Sequence, residues 1–336
     1  MVNVKILDIE YVLPDKVVTN EDLHNENPDW DMKNVEIKSG VVQRHIAADG
    51  ETAFDLAARS CDKLFYSGGH NKADIDAIIF CTQSPDYIMP SNAFLLHEYL
   101  DLDENVMAFD YNLACSGYIY GLAIARSLII SGTATKVLLA TGDTYSRYIN
   151  SGDRSARVLF GDGAAVSLIT ASETEEGIRD VILATSGKHH RKFYIPAGGC
   201  RLPKLANPVK KIDNSGNVRT ENDIHMDGMA VWSFIQSTVP KQIRSLMERN
   251  SLSADDIDLF VFHQASKMTL ISLTKALRLN EDKVYLNLSQ TGNLVSSSLP
   301  IALKNALAEG RIQSGNMVLM SGFGVGLSWG SLLMKF

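Results

Sequence analysis

The chain repeats itself. The run Asp74-Ile75-Asp76-Ala77-Ile78-Ile79-Phe80-Cys81-Thr82-Gln83-Ser84 returns as Asp256-Ile257-Asp258-Leu259-Phe260-Val261-Phe262-His263-Gln264-Ala265-Ser266, 182 positions later. Asn112-Leu113-Ala114-Cys115-Ser116-Gly117 returns as Asn287-Leu288-Ser289-Gln290-Thr291-Gly292, 175 positions later and in the same order. Two ordered recurrences at nearly one offset imply a duplicated structural unit. Each unit reads as an apolar run too short for a helix (Ala77 to Phe80; Leu259 to Phe262), a loop, a glycine turn, a helix and a second apolar run (Val137 to Ala140; Val318 to Met320). Short apolar runs without alternation predict strands of the parallel type, covered on both faces. The expected fold is therefore α/β, with two pseudo-repeated halves in a layered sandwich.

At about 150 residues per domain, the 336 residues accommodate two such halves. The reading places the first over residues 1–172, a connecting excursion over 173–226 and the second half over 227–336. Apolar residues from Ile119 to Ile130 run nearly all round a helix, the mark of one buried between layers, with Ser131-Gly132 as its stop. Its counterpart starts near Pro300, carries Leu303, Ala306 and Leu307 on one stripe and stops at Gly310. Between the halves, Ser186 to Met226 is rich in Pro and Gly and carries Lys188, Arg191, Lys192, Arg201, Lys204, Lys210 and Lys211. It reads as a solvated basic loop, or as a docking surface for an acidic or phosphorylated partner.

Composition removes several classes. With 39 acidic against 32 basic residues the formal charge is -7, which argues against a nucleic-acid binder. Cys61, Cys81, Cys115 and Cys200 form neither a CxxC pair nor a disulfide framework, and a cytoplasmic setting fits them. No apolar run reaches the roughly 18 residues of a membrane span, and Met1 to Lys5 leads into a strand-like pattern instead of a signal peptide. The mature protein is expected to be the whole chain.

Three residues stand out chemically. Cys115 falls at the start of the buried helix, where the macrodipole and unpaired N–H groups favour a thiolate; in an apolar stretch the plainer reading is packing. His263 follows a strand, at the end where α/β folds place function. Asn293, after Gly292, reads alone as a turn residue. The repeat sets Cys115 and Asn293 on equivalent loops and His263 on the neighbouring strand end, so pseudo-symmetry predicts that all three meet.

These residues in this order, with the closing Gly322-Phe323-Gly324-Val325-Gly326-Leu327-Ser328-Trp329-Gly330, resemble β-ketoacyl-acyl-carrier-protein synthase III of the thiolase-fold condensing enzymes. Arg44-His45-Ile46-Ala47, Phe160-Gly161-Asp162-Gly163-Ala164-Ala165 and Gly310-Arg311-Ile312 also fit, so the resemblance runs nearly end to end. It implies an acyltransferase in which Cys115 takes an acyl group from a thioester and condenses it decarboxylatively with malonyl-acyl carrier protein, giving a 3-oxoacyl product. It further implies that Cys115 is activated by the helix terminus and a neighbouring imidazole, and that His263 and Asn293 donate hydrogen bonds to the malonyl thioester oxygen. The backbone N–H groups of Cys115 and Val325 become the oxyanion hole, and Phe323 borders the cavity. Met89 becomes the residue through which a partner subunit closes the acyl pocket, which makes the expected assembly a homodimer. No bound cofactor or metal is implied; acyl-coenzyme A or acyl carrier protein brings the substrate.

The departures fall on the carrier-binding positions. A tryptophan and an arginine that hold adenine in such enzymes correspond to Asn34 and Lys38, with Trp30 out of register, while Arg154 matches. A pantetheine-contacting asparagine corresponds to Met229 and an arginine to Met268, beside Lys267. These changes predict a carrier-protein donor, or an unusual coenzyme A thioester, in place of acetyl-coenzyme A. Transfer to an oxygen or nitrogen nucleophile, a cysteine hydrolase and a non-catalytic partner subunit are the competing readings. The hydrolase lacks an obvious acid to orient its histidine, and the non-catalytic relative would lack Cys115.

Overall fold

The computed structural model describes residues 3–336, the side chain of Ser67 excepted. Met1 and Val2 of the expected N-terminal strand lie outside the described residues; the strand is present from Asn3. One sheet contains β1 (Asn3–Val12), β2 (Ala77–Cys81), β3 (Met107–Tyr111), β4 (Lys136–Asp143) and β5 (Gly163–Ser172), in the order β1-β5-β4-β2-β3. The other contains β6 (Gly177–Thr185), β7 (Leu259–Phe262), β8 (Met317–Gly324) and β9 (Ser328–Lys335), in the order β7-β8-β9-β6.

The duplication is exact at the level of strand direction. In the first sheet β2 runs parallel to β4, and β4–β5 and β5–β1 are antiparallel. In the second, β7 runs parallel to β8, and β8–β9 and β9–β6 are antiparallel. The parallel arrangement expected from the apolar runs thus holds for the repeated strands themselves, while their neighbours reverse; β8 and β9 are joined by a turn far too short for a parallel crossover. The strand β6 lies within the expected 173–226 connection, yet it closes the second sheet. Among the described residues, the added edge strand β3 has for counterpart only the single parallel bridge between Phe260 and Val284.

The repeated Asp-Ile-Asp motif survives because it ties each strand to its neighbour. The Asp76 carboxylate accepts from the Thr135 and Lys136 N–H groups at 2.6 and 3.0 Å, ahead of β4. Asp258 accepts from the Met317 N–H at 2.7 Å, at the start of β8.

The helices that frame the site are α1 (Ala53–Asp62), α2 (Asn92–Tyr99), α3 (Gly117–Ile130), α4 (Gly228–Arg249), α5 (Lys267–Leu277) and α6 (Ser298–Ala308). Odd-numbered Ala77 and Ile79 of β2, and Leu259 and Val261 of β7, face a central core with Ile119 and Leu122 of α3 and Leu299 and Leu303 of α6. Ile78 and Phe80 face α1 and α2 on one outer side. Phe260 and Phe262 face α4 and α5 on the other. Both faces of each strand are therefore buried, which is why the sequence shows no alternation. The result is the expected five-layer α-β-α-β-α sandwich.

The stretch 186–226 forms two small antiparallel pairs, Phe193–Tyr194 with His225–Met226 and Lys211–Ile212 with Val218–Arg219. Lys188, Arg191, Arg201, Lys204 and Lys210 are exposed there and join no ion pair among the described residues. Phe193 and Ile224 turn inward from the same stretch, toward Cys115.

Candidate active site

Cys115 sits two residues before α3, in the turn closed by the Gly117 N–H donating to the Ala114 carbonyl at 2.7 Å. Its side chain is buried against the second half: a Cβ on Gly324 would meet the Cys115 Sγ at 2.9 Å. Only glycine lets the β8 backbone come this close to the sulfur. Burial pushes the Cys115 thiol well above its ordinary range, Asp143 adds to that push, and the residue's own backbone N–H pulls the other way. The helix start lies where expected, and burial, the largest influence on the thiol, favours its neutral form.

His263 leaves the end of β7 fully buried, with its ring edge-on to Phe323 at 5.7 Å between centroids. Burial alone lowers its pKa to about 3, so the imidazole is neutral through the physiological range. Its Nδ1 is buried without a partner, and no hydrogen bond joins the ring to Cys115 among the described residues. An imidazole in this state is a hydrogen-bond donor through one nitrogen and a poor store for a proton.

Asn293 is fixed from both sides. Its N–H donates to the Leu159 carbonyl at 2.8 Å, and its carbonyl accepts from Gly161 at 3.1 Å. The side-chain Oδ1 accepts from the Val295 N–H at 2.9 Å. Since a backbone N–H can only donate, the amide orientation is determined, and the Nδ2 donors are left for the cleft. The preceding Gly292 has φ +68°, and a Cβ there would press on the Leu159 carbonyl at 2.7 Å, so the loop requires glycine.

All three residues open into one cleft of about 540 Å³, whose walls include Leu159, Phe160, Phe193, Met226, Trp232 and Phe323. A larger hollow of about 710 Å³, lined by Lys16, Arg44, Arg147 and Arg157 among others, contains none of them. The Arg44 guanidinium beside it is already committed to the Val18 and Val158 carbonyls and to Asn20.

The expected carrier-binding residues divide. Met229 and Met268 line the outer part of the cleft. Lys267 borders a separate groove with Ile37 and Leu286. Lys38 and Arg154 do not line the cleft, although Ser155, next to Arg154, does. Phe323 is a wall, as expected. Met89 is 81 % exposed in the Tyr87-Ile88-Met89-Pro90 loop and does not touch this cleft from its own chain. Val325 lies immediately beyond Gly324 and packs with Cys115 in one apolar cluster.

Asp143 went unnoticed in the sequence. At the end of β4 its carboxylate accepts from the Gln83 N–H at 2.8 Å and from the Ser296 Oγ and N–H at 2.5 and 3.2 Å. It therefore ties the loop after β2 to the loop that carries Asn293. Its burial raises its pKa to about 7. The available signal was an acidic residue closing an apolar strand, Leu138-Leu139-Ala140-Thr141-Gly142-Asp143.

Comparison with known proteins follows the same lines. Residues 109–187 match the family described as 3-oxoacyl-[acyl-carrier-protein (ACP)] synthase III, and residues 247–336 match its C-terminal part. The β-ketoacyl-[acyl-carrier-protein] synthase III of Campylobacter curvus (strain 525.92) is 34% identical over 340 residues, covering 100% of this chain and 98% of its own. A 3-oxoacyl-(acyl-carrier-protein) synthase III crystal structure superimposes with TM-score 0.96 at 39% identity, over 99% of this chain and 100% of that one. The 3-oxoacyl-(acyl-carrier protein) synthase of Burkholderia xenovorans LB400 gives TM-score 0.92 at 31% identity, over 99% and 94% of the two chains.

Proposed function

Because the chain belongs to the 3-oxoacyl-[acyl-carrier-protein] synthase III family, and is a condensing enzyme of that class, we propose that Cys115, His263 and Asn293 are its catalytic residues. The observation that carries this assignment is their convergence on one cleft, with a neutral imidazole and an amide whose free donors face inward.

In the first half-reaction the Cys115 sulfur attacks the thioester carbonyl. A C–S bond forms to Cys115, the bond to the carrier sulfur breaks, and the thiol proton of Cys115 leaves with the carrier as its thiol. The N–H groups of Cys115 and Val325 stabilise the tetrahedral oxyanion. In the second, the malonyl carboxylate departs as CO₂ and its bonding pair becomes an enolate, whose oxygen receives hydrogen bonds from His263 and Asn293. Two neutral donors suit this charge, since they strengthen as it develops and place no permanent cation beside the substrate. The enolate carbon then attacks the acyl group, a C–C bond forms, and the Cys115 sulfur leaves and regains a proton. No step in this scheme calls for a cofactor or metal.

The acyl donor we favour is an acyl carrier protein. Met229 and Met268 give the outer cleft an apolar surface where a nucleotide-bearing carrier calls for polar and cationic groups. The exposed lysines and arginines of 186–226 offer an acidic carrier a surface instead. The exposed Tyr87–Pro90 loop, with Met89, closes the acyl pocket of a second copy in a homodimer. No helix among the described residues is long and apolar enough to cross a membrane, and we place the enzyme in the cytoplasm with its carriers.

Mass spectrometry of the intact protein after incubation with acyl carrier protein and coenzyme A thioesters tests the assignment, with Cys115→Ala as control. An adduct on wild type only, discharged by malonyl carrier protein with CO₂ release, is the expected result. Discharge without CO₂, by an oxygen or nitrogen nucleophile, would replace condensation with simple transfer; exclusive labelling by acetyl-coenzyme A would overturn the donor reading.

A further inference from the structure

Phe193 also borders a second and smaller hollow of about 170 Å³, open to solvent past the exposed Asn112 and Tyr194. Phe193 lines both spaces and stands between them. Tyr145, Ile224 and Val325, which line the smaller cavity, also pack in the same cluster as Cys115. Cys115 lines the main cleft and not this hollow, so Phe193, common to both, and the shared cluster mark the route by which a short acyl group on Cys115 would reach it. At well under the roughly 300 Å³ where pockets for drug-sized ligands begin, the cavity admits a short tail.

Its walls are unusually polar for a hydrocarbon tail. Three tyrosines, Gln83 and Asn112 surround Ile195, Ile224, Phe193 and Val325. The Tyr145 hydroxyl donates to Gln83 Oε1, and Gln83 Nε2 donates to Asn112 Oδ1 at 2.8 Å, forming a chain of dipoles along one wall. The Tyr148 hydroxyl makes no hydrogen bond among the described residues, although Tyr148 packs against the Cys115 cluster. An alkyl tail filling this space would take water from the Tyr148 hydroxyl and return nothing, while the paired Tyr145, Gln83 and Asn112 keep their bonds to one another. A tail bearing an oxygen can accept from or donate to Tyr148 and the Tyr145–Gln83 pair.

Resting on the condensing function proposed above, we infer that this enzyme selects short primer acyl groups that carry a hydroxyl or carbonyl oxygen, with Tyr148 as the residue that discriminates. The chemistry at Cys115 is unchanged; the second cavity decides which thioester acylates it productively. Sites built to hydrogen-bond a substrate oxygen reject the analogue lacking it far more strongly than apolar pockets reject an extra methylene.

An isosteric pair tests this cleanly. Acylation of Cys115 is timed with (R)- and (S)-3-hydroxybutyryl, 3-oxobutyryl, 3-methylbutyryl and acetyl thioesters of acyl carrier protein, the methyl branch matching the hydroxyl in size. The expected result is at least about a 10-fold higher kcat/KM for an oxygen-bearing donor over 3-methylbutyryl, falling toward parity in Tyr148→Phe. Equal use of the pair, a preference for 3-methylbutyryl, or an oxygen preference that survives intact in Tyr148→Phe overturns the inference while leaving the condensing function standing. No label from any donor, acetyl included, overturns both.

Discussion

The two halves share a backbone plan and differ in what stands at the same place. By the repeat, Cys81 at the end of β2 corresponds to His263 at the end of β7. Cys81 is wholly buried, its thiol donates to the Leu113 carbonyl at 3.1 Å, and its sulfur fills the space that a Cβ on Gly117 would need. His263 instead opens into the cleft, edge-on to Phe323. One half thus spends this position on seating the helix that follows Cys115, and the other spends it on the reacting atoms. Duplication supplied the frame, and the functional residues are where the copies part.

The largest break in that comparison comes from its two cysteines. Cys115→Ala is expected to lower condensation by about ten-thousandfold or more, as loss of a nucleophile does. Cys81→Ala removes only a packed thiol, and its expected cost is about 1 kcal/mol of stability with Cys115 still acylated. Thermal unfolding beside intact-mass labelling distinguishes the two. Equal loss of labelling in both would remove the asymmetry between the loops.

The second-half residues act later. His263→Ala and Asn293→Ala are each expected to slow decarboxylation by about 100- to 1,000-fold, while acylation of Cys115 continues. Single-turnover labelling followed by CO₂ release separates the steps. Because burial holds the His263 pKa near 3, below its ordinary 6.5, the imidazole is neutral in the folded enzyme across neutral pH. The unfolded chain binds the additional proton first, so this residue takes stability away progressively as pH falls from about 6.5 toward 3. His263→Gln should flatten that part of the stability profile; an unchanged acid limb would contradict a buried neutral ring.

Asp143 joins the halves, and its loss should be smaller. Asp143→Asn keeps the shape but turns one acceptor into a donor facing the Gln83 or Ser296 N–H. An expected 10- to 100-fold loss in condensation follows from loosening the Asn293 loop, at the scale of misplacements of about 1 Å. Acylation, which does not use Asn293, falls less, and that split marks a positioning role. The raised pKa of about 7, against the usual 3.8, means that the folded protein holds its proton longer than the unfolded chain. Its contribution to stability is present below about 3.8 and is lost as pH rises through 7; Asp143→Asn should abolish that slope.

Much of this was legible in the sequence, for a physical reason. Apolar strands covered on both faces leave a continuous run, and Asp76 and Asp258 recur because each must hold the start of a neighbouring strand. The repeat therefore announced the halves, the buried helices and the meeting of Cys115, His263 and Asn293. Strand direction was less legible, since it depends on where the connections return, and β6 looked like part of a linker because its outer residues are half-exposed. Tyr145 and Tyr148 carried no signal in a single chain, and Asp143 only that of an acidic residue closing an apolar strand, because their contacts are with residues distant in the sequence. At Cys115 both the helix start and the apolar surroundings can be read from sequence, whereas the depth of burial that raises its thiol pKa depends on the packing of the second half against it.

The smallest expected effect tests the frame itself. Among the described residues, the Asp76 side chain accepts from three donors, the Thr135 N–H and Oγ1 and the Lys136 N–H, whereas that of Asp258 accepts from the Met317 N–H alone. Removing each aspartate therefore asks how evenly the duplicated halves are held. Asp76→Ala should cost about 1–2 kcal/mol, the net worth of one or two charge-assisted bonds at a partly solvated site. Asp258→Ala should cost less, because its side chain is exposed and water replaces the lost partner. Both positions lie at the ends of the strands opposite to Cys115 and His263, so neither substitution should alter the rate of acylation. Chemical unfolding of the two variants measures the difference. If Asp258→Ala proved as costly as Asp76→Ala, the second half would lean on its copy of the motif as heavily as the first, despite two fewer donors.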